Sequence, residues 1–271
     1  MSAGRTRRPL MTLALSTWNH ERYVGEAVAA ALAQDYSPLE IIVSDDASRD
    51  ATWDIVQRLV AGYSGPHEIR LNRNAANLGV GAHCDLLMEM ARGEMVVLSA
   101  GDDIDEPDRV SRVAAAYLQS AGRIAAVSAP LPAIDENGRP TGEIIATDTA
   151  GPVTAERLAG SGAAIAGGAF ARRLHGIFGP IGPEVVAAED VVLGFRAALA
   201  GDIAILAVPL MRYRRHGESL LGSSGPLAAT IDRHQHGFAR MLRGIGGARR
   251  AQLRDLEHAL ATGLIDARRH E

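Results

Sequence analysis

Leu39-Glu40-Ile41-Ile42-Val43-Ser44-Asp45-Asp46 and Met95-Val96-Val97-Leu98-Ser99-Ala100-Gly101-Asp102-Asp103 share one form: a short apolar run, rich in β-branched residues, that stops at two adjacent aspartates. Runs of this length read as strands buried on both faces of a parallel sheet. Ligands of open α/β sheets bind beyond the carboxyl ends of the strands. Two carboxylate pairs placed there repel one another unless a metal ion, or a hydrogen-bond donor such as a nucleobase N–H, lies between them. The doublets therefore point to a nucleotide and a divalent cation.

Outward from these runs, strand and helix patterns alternate. Leu10 to Leu15 reads as a first strand, and Glu21 to Gln34 as a helix with Val24, Ala27, Val28, Ala31 and Leu32 on its apolar face. After the strand Glu40 to Val43, Ser48 or Asp50 can cap a helix from Thr52 to Ala61. A weaker strand, Glu68 to Leu71, leads through Asn72 to Gly81 into a helical pattern from Val80 to Arg92, followed by the strand Met95 to Leu98. Pro107 suits the first turn of a helix reaching Ser120, and Ile124 to Ser128 closes the series. Such repetition predicts right-handed crossovers and a mainly parallel sheet. Beyond Pro130, turn signals such as Asp135-Glu136-Asn137-Gly138 break residues 130 to 165 into a hairpin or loop. Gly167 to Arg173 reads as a strand or turn, Glu189 to Ala200 as an amphipathic helix and Ile203 to Val208 as a strand; from Gly222 the tail has helical spacing.

Composition narrows the function classes. The 271 residues carry a net charge of −4, and all 28 basic side chains other than histidine are arginine, which fits a bias toward GC-rich codons. With no basic stripe, a nucleic-acid partner is not expected. One cysteine, Cys84, excludes an internal disulfide framework and suits a buried small hydrophobe. No stretch reaches the ~20 apolar residues of a membrane span, and no signal-type apolar segment follows Arg5, Arg7 and Arg8. The expectation is a cytoplasmic protein, with peripheral attachment at the inner face of the membrane left open.

Several motifs resemble, in order, those of family 2 glycosyltransferases with a GT-A fold. They are Leu15-Ser16-Thr17-Trp18-Asn19-His20-Glu21-Arg22-Tyr23-Val24, Gln34-Asp35-Tyr36, Ser44-Asp45-Asp46-Ala47-Ser48-Arg49-Asp50, Asn77-Leu78-Gly79, Gly93-Glu94, Gly101-Asp102-Asp103 with Pro107, Glu189-Asp190 and Tyr213-Arg214-Arg215-His216-Gly217. The resemblance implies an α/β, Rossmann-like GT-A fold whose mainly parallel central sheet is flanked by helices, with a C-terminal helical extension. It implies a basic N-terminal arm over residues 1–9 and a GT-A domain over 10–221, with a nucleotide-binding half at 10–129 and an acceptor-side half at 130–221. The helical extension takes 222–271.

By the same resemblance, Ser16 and Trp18 line the base, and Asp45 or Asp46 accepts a hydrogen bond from uracil N3–H, a role suited to an acceptor-only carboxylate. Asp46 and Ser48 also suit a plain turn and helix cap. Asp103 is the expected metal ligand and Asp102 a ligand of ribose or metal, the metal being Mn²⁺ or Mg²⁺ bridging to the donor diphosphate. The family's commonest pattern has a further aspartate at the place of Ala100. Asp190 is the expected catalytic base, although two acids at a helix start also complement the macrodipole. Arg215 is expected at the diphosphate and His216 at the metal. Arg172 and Arg173 suit the acceptor, the phosphate or a solvated turn, and His234 and His236 a solvated tail.

The resulting expectation is an inverting, metal-dependent transferase moving sugar from a UDP-sugar to a hydroxyl of a glycan or lipid-linked acceptor. The C-terminal helices leave room for contact with a membrane, a partner or a second copy. A nucleotide-holding module that transfers nothing is the first rival, kept alive by Ala100. A sugar nucleotidyltransferase is the second, disfavoured because Ser16 to Glu21 lacks the glycines and lysine of a phosphate loop.

Overall fold

A computed structural model describes residues 8–145, 153–161, 165–185, 188–217 and 235–265. Strands β1 (Met11–Thr17), β2 (Leu39–Asp45) and β4 (Met95–Ala100) form the centre of a parallel sheet, with β3 (Glu68–Arg73) at its edge beside β2. Every residue of β2 is buried. This explains a nearly continuous apolar run rather than an alternating one, because helices cover both faces. The exception, Glu40, accepts hydrogen bonds from Thr12 Oγ1, the Arg92 N–H and Arg92 Nε at 2.6–2.7 Å. This buried carboxylate fastens the segment before β4 to the amino end of the sheet.

Register decides where the site lies. Met11 is level with Leu39 on one side and with Met95 on the other, and Thr17 pairs with Asp45 while Ser16 pairs with Ala100. The loops that follow β1, β2 and β4 therefore leave the sheet side by side.

The crossover helices are α1 (Val24–Leu32), α2 (Thr52–Ala61), α3 (Val80–Met90) and α4 (Arg109–Gln119). α1 buries Val24, Ala27, Val28 and Ala31, as its spacing predicts. It starts three residues later than expected, because His20 to Tyr23 form a turn in which the His20 carbonyl accepts the Tyr23 and Val24 N–H groups. At α2 neither expected cap holds the N-cap position, which is Ala51; Asp50 Oδ1 accepts the Thr52 N–H at 3.0 Å from one residue earlier, and the Ser48 hydroxyl donates to Asp45.

The later chain returns to the first sheet. After β5 (Ile104–Asp105) and β6 (Ile124–Ser128), the hairpin β7 (Leu131–Ile134) and β8 (Pro140–Ile145) forms around a turn in which Asp135 Oδ1 accepts the Asn137 and Arg139 N–H groups and Gly138 has φ 78°. Helix α5 (Ala155–Ser161) follows, unforeseen from the sequence. β9 (Ala169–Ala171) then inserts antiparallel between β4 and β6, and leads into α6 (Arg173–Phe178). Helix α7 (Glu189–Ala200) and β10 (Asp202–Ile205), which runs parallel to β6 and ends three residues before the expected Val208, complete the edge. Among the described residues the first sheet has the order β10-β6-β9-β4-β1-β2-β3. A second sheet, β5-β11-β7-β8, includes β11 (Met211–Arg214). Among the described residues the C-terminal extension forms the helix α8 (Gln235–Ala261). No described helix is long and apolar enough to cross a membrane.

Candidate active site

The loops after β1 and β2 clasp one another. The Asn19 N–H donates to Ser48 Oγ (2.8 Å), while Asn19 Oδ1 accepts the Arg49 N–H (2.9 Å). The His20 N–H donates to Thr52 Oγ1 and the Glu21 N–H to Asp50 Oδ2, and Glu21 Oε2 accepts the Ala51 N–H. Asn19 and Ala47 both take positive φ, 53° and 60°. Left-handed backbone in residues other than glycine costs energy and persists where surrounding contacts over-determine it, as this reciprocal set does.

The first aspartate pair faces inward. Asp45, fully buried, accepts Thr17 Oγ1 (3.1 Å), the Ser48 hydroxyl and the Ser48 N–H (3.0 Å), with Arg73 Nε 3.4 Å from its other side. Asp46, 3% exposed, accepts Asn74 Nδ2 (2.7 Å), the Leu78 N–H (2.9 Å) and the Gly79 N–H (3.0 Å). Both carboxylates, one of which is expected to accept an imide N–H, are thus held by protein donors. Ser16 donates to the Ser99 carbonyl (3.3 Å), and the Trp18 ring beside it stands 45% exposed.

The second pair divides. Gly101 brings the loop after β4 against the loop after β1: a Cβ there would lie 2.7 Å from His20 Nδ1 and 2.9 Å from Thr17 Cγ2. This close approach puts Asp102 Oδ2 3.0 Å from His216 Nε2 and 3.8 Å from His20 Nε2. Burial raises the Asp102 carboxyl, but the His216 hydrogen bond and the two histidines outweigh it and hold the group below its ordinary range. Asp103 is buried instead, its Oδ1 accepting the Arg214 N–H at 2.9 Å. Burial, then the neighbouring Asp102, pushes its carboxyl well above the usual range. Asp102 is thus the carboxylate that faces the histidines, whereas Asp103, the expected metal ligand, faces the Arg214 backbone.

The basic segment also divides. Arg214, 1% exposed, donates from Nε to the Asp102 carbonyl (2.8 Å) and from Nη2 to Glu26 (2.9 Å), with its guanidinium carbon 4.9 Å from the Tyr23 ring centroid. Arg215, expected at the diphosphate, pairs with Glu143 of β8 at 2.7 Å. His216 stacks at a tilt on Tyr23 with centroids 4.7 Å apart, which fixes its ring beside Asp102.

A carboxylate and an imidazole suit a divalent cation, the imidazole favouring Mn²⁺ over Mg²⁺. His20 Nδ1 is a buried nitrogen with no hydrogen-bond partner, so its ring is not locked by a second contact. Among the described residues no three acidic, histidine or cysteine side chains form a complete cage. Asp102 with His216 fits the kind of site in which few protein ligands share the ion with substrate phosphates.

Glu189 and Asp190 open α7, both partly exposed. Burial first, then Asp190, raises the Glu189 carboxyl to about 8; burial raises Asp190 to about 6 against the pull of the Val191 N–H, which donates to Asp190 Oδ1 at 2.8 Å. The Tyr213 phenol is pushed up by burial and then by Asp103, Asp102 and, least, Asp190. Cys84 is buried beside the same pair and stays a thiol, as its helical setting predicts.

Ser16, Trp18, Asp45, Asp46, Asp102, Asp103 and His216 thus gather at the carboxyl end of the sheet, and Asp190 opens α7. Arg172 and Arg173 do not: β9 runs antiparallel, so they lie at the opposite edge, where Arg173 donates to the carbonyls of Gly122, Arg123 and Ile124. His234 and the His236 side chain fall outside the described residues. Sequence reasoning gave no role to His20 or to the Arg214 clamp; the approach allowed by Gly101 was the available signal for His20.

The sequence profile described as Glycosyl transferase family 2 matches residues 12–163. An uncharacterized protein of Mycobacterium tuberculosis is 29% identical over 216 residues, covering 79% of this chain and 61% of its own length. This chain therefore spans about three fifths of that curated relative. The crystal structure of S. aureus TarS 1–349 in complex with UDP-GlcNAc matches with a TM-score of 0.61 at 17% identity, over 93% of this chain and 72% of that one. The mannosyltransferase PcManGT from Pyrobaculum calidifontis, in complex with GDP-Man and Mn²⁺, matches with a TM-score of 0.58 at 19% identity, over 97% and 77% of the two chains. These likenesses show a shared fold.

Proposed function

Because the chain belongs to glycosyl transferase family 2, we propose that it transfers a sugar from a nucleotide donor, a UDP-sugar, to a hydroxyl of a glycan or lipid-linked acceptor with inversion. The observation that carries this reading is the Asp102–His216 pair, set at the carboxyl end of the sheet where the loops after β1, β2 and β4 leave together. Asp102 and His216 would hold Mn²⁺ or Mg²⁺, which would supply charge neutralisation at the departing diphosphate. Trp18 offers its exposed ring to the base, and the buried Asp45 and Asp46 shape the loops around it. Asp190 takes the acceptor hydroxyl proton as that oxygen attacks the anomeric carbon on the face opposite the phosphate. A carboxyl raised to about 6 is ionised at neutral pH and more basic than an ordinary aspartate, which suits a general base. Asp103 and Arg214 support the loop, and Arg215 stays with Glu143.

The donors seen with TarS and PcManGT make UDP-GlcNAc and GDP-Man the first probes. A ligand at a hundred times its dissociation constant stabilises the protein by about 2.7 kcal/mol. Thermal unfolding with each nucleotide sugar, with and without Mn²⁺, should show a metal-dependent rise for one donor. Product analysis should then find free nucleoside diphosphate rather than pyrophosphate. A melting point unmoved across nucleotide sugars and Mn²⁺ would sink the proposal.

Ala100, level with Ser16 in the sheet, favours a second reading: a nucleotide-holding module without transfer. Calorimetry with UDP separates the two, since affinity that Mn²⁺ leaves unchanged supports the inactive module.

A further inference from the structure

Helix α8 lies far from the first sheet's nucleotide edge in sequence, yet it grips the segment that enters α7. Arg196 of α7, 1% exposed, binds Asp255 of α8 through two hydrogen bonds, 2.8 Å from Nε and 3.1 Å from Nη2. The same guanidinium donates to the Gly179 carbonyl (2.7 Å) and the Pro180 carbonyl (3.1 Å). The preceding residue, Arg254, pairs with Glu184 and donates to the Ile181 carbonyl at 3.0 Å. Gly247 completes the contact, because a Cβ there would collide with the Glu184 carbonyl oxygen. On the other side of this segment, Asp85 of α3 accepts the Ile181 and Gly182 N–H groups, and Gly81 abuts the Val185 carbonyl. Residues 179–185 are therefore held between α3 and α8 just before the acidic turn of α7.

We propose that α8 is a positioning strut for Glu189–Asp190, with Gly247, Arg254 and Asp255 as positioning residues that set the place of this pair for proton abstraction. The proposal rests on the reading of Asp190 as the base. Buried arginine–carboxylate pairs add little net stability but fix geometry, and Arg196 spends its donors on both α8 and the entering segment. Charged and titratable groups near the pair include Cys84 and Asp85 from α3, Arg196 on α7 and Tyr213 from β11. The contacts that Gly247 and Arg254 of α8 make fall on residues 179–185, so the helix acts on the pair through backbone placement. Misplacing a catalytic group by about 1 Å costs on the order of 10²-fold in rate.

Two adjacent glycines supply the test. Gly246→Ala meets nothing closer than the Arg250 side-chain end at 3.6 Å, whereas Gly247→Ala meets the Glu184 backbone. Both gain the same helix propensity. On the full chain, ¹³C NMR titration of the pair, assigned with Glu189→Gln and Asp190→Asn, should match wild type in Gly246→Ala. In Gly247→Ala its apparent pKa values should move by about one unit as the acidic turn shifts. With the donor chosen by the thermal screen, Gly247→Ala should lose about tenfold or more in kcat at unchanged donor affinity. Titration of Gly247→Ala identical to that of Gly246→Ala overturns the strut. If Gly247→Ala fails to fold, Arg254→Gln serves instead, with Arg254→Lys restoring part of the effect; wild-type titration in Arg254→Gln overturns the proposal equally. The failures separate cleanly: full turnover in Asp190→Asn removes the base reading, while the titrations report on α8 whatever the base.

Discussion

His216 Nε2 lies 3.0 Å from Asp102 Oδ2, joining the segment after β11 to the loop after β4. The hydrogen bond and the histidine charges keep this carboxyl ionised although it is mostly buried. Asp102→Asn removes the charge and leaves the shape, so Mn²⁺ should no longer strengthen UDP binding, a loss of at least about tenfold. Asp103→Asn should keep the metal enhancement, since Asp103 serves the Arg214 N–H. Calorimetry of both variants with UDP, with and without Mn²⁺, checks this; equal losses would return Asp103 to the metal.

Asp190→Asn should reduce turnover by about 10²–10⁴-fold while leaving donor affinity unchanged. Its carboxyl, raised to about 6 by burial, must be deprotonated to accept a proton. The wild-type rate should therefore rise with pH along a limb centred near 6, and this limb should vanish in the residual activity of Asp190→Asn. Steady-state rates between pH 5 and 8 read both. A wild-type rate independent of pH below 7 would remove Asp190 from the role.

Glu189, raised to about 8 by burial and by Asp190, carries a cost in stability. The folded state keeps its proton to higher pH than the unfolded state, so the folded state binds more protons between about pH 4.5 and 8. Stability from this group is present below the unfolded value and is lost as pH rises through the folded one. Glu189→Gln should then leave the melting temperature unchanged at pH 4 and raise it at pH 8, by roughly 2–4 °C for each kcal/mol relieved. Differential scanning calorimetry at both pH values decides; a lower melting point at pH 8 contradicts the sign.

The strands were legible because β1, β2 and β4 are buried on both faces, so their apolar runs are almost unbroken. The hairpin was legible for a different reason: Asp135 and Gly138 supply the turn chemistry locally. β9 was legible only as a strand or a turn, since Ala169-Phe170-Ala171 is three residues long and owes its place to pairing with β4 and β6 rather than to local pattern. At the site, residue type announced that carboxylates were present, not which way they face. Asp45 and Asp46 look alike in sequence to Asp102, yet donors from Ser48 and from the loop 74–79 draw the first two inward. Arg214 and Arg215 split in the same way, one clamping a loop and the other pairing with Glu143. Apart from Ser48, three residues after Asp45, such choices depend on contacts between residues about thirty to more than one hundred apart, which no local pattern encodes.

Asp46 tests that distinction directly. Its carboxylate receives Asn74 Nδ2, the Leu78 N–H and the Gly79 N–H, so it tethers the loop between β3 and α3 rather than touching a ligand. Gly79, at φ 78°, opens α3 only while that tether holds. Asp46→Ala leaves buried donors unpaired, each at about 1–3 kcal/mol, and should lower stability by on the order of 3 kcal/mol. Asp46→Asn retains an acceptor oxygen for part of the set and should cost less. Hydrogen exchange should rise across residues 74–80 in Asp46→Ala while β1 and β4 stay protected, because their ladders do not depend on this carboxylate. If Asp46→Ala instead keeps loop protection and stability and loses only nucleotide affinity, the carboxylate is a ligand to the base and its inward orientation yields when donor binds.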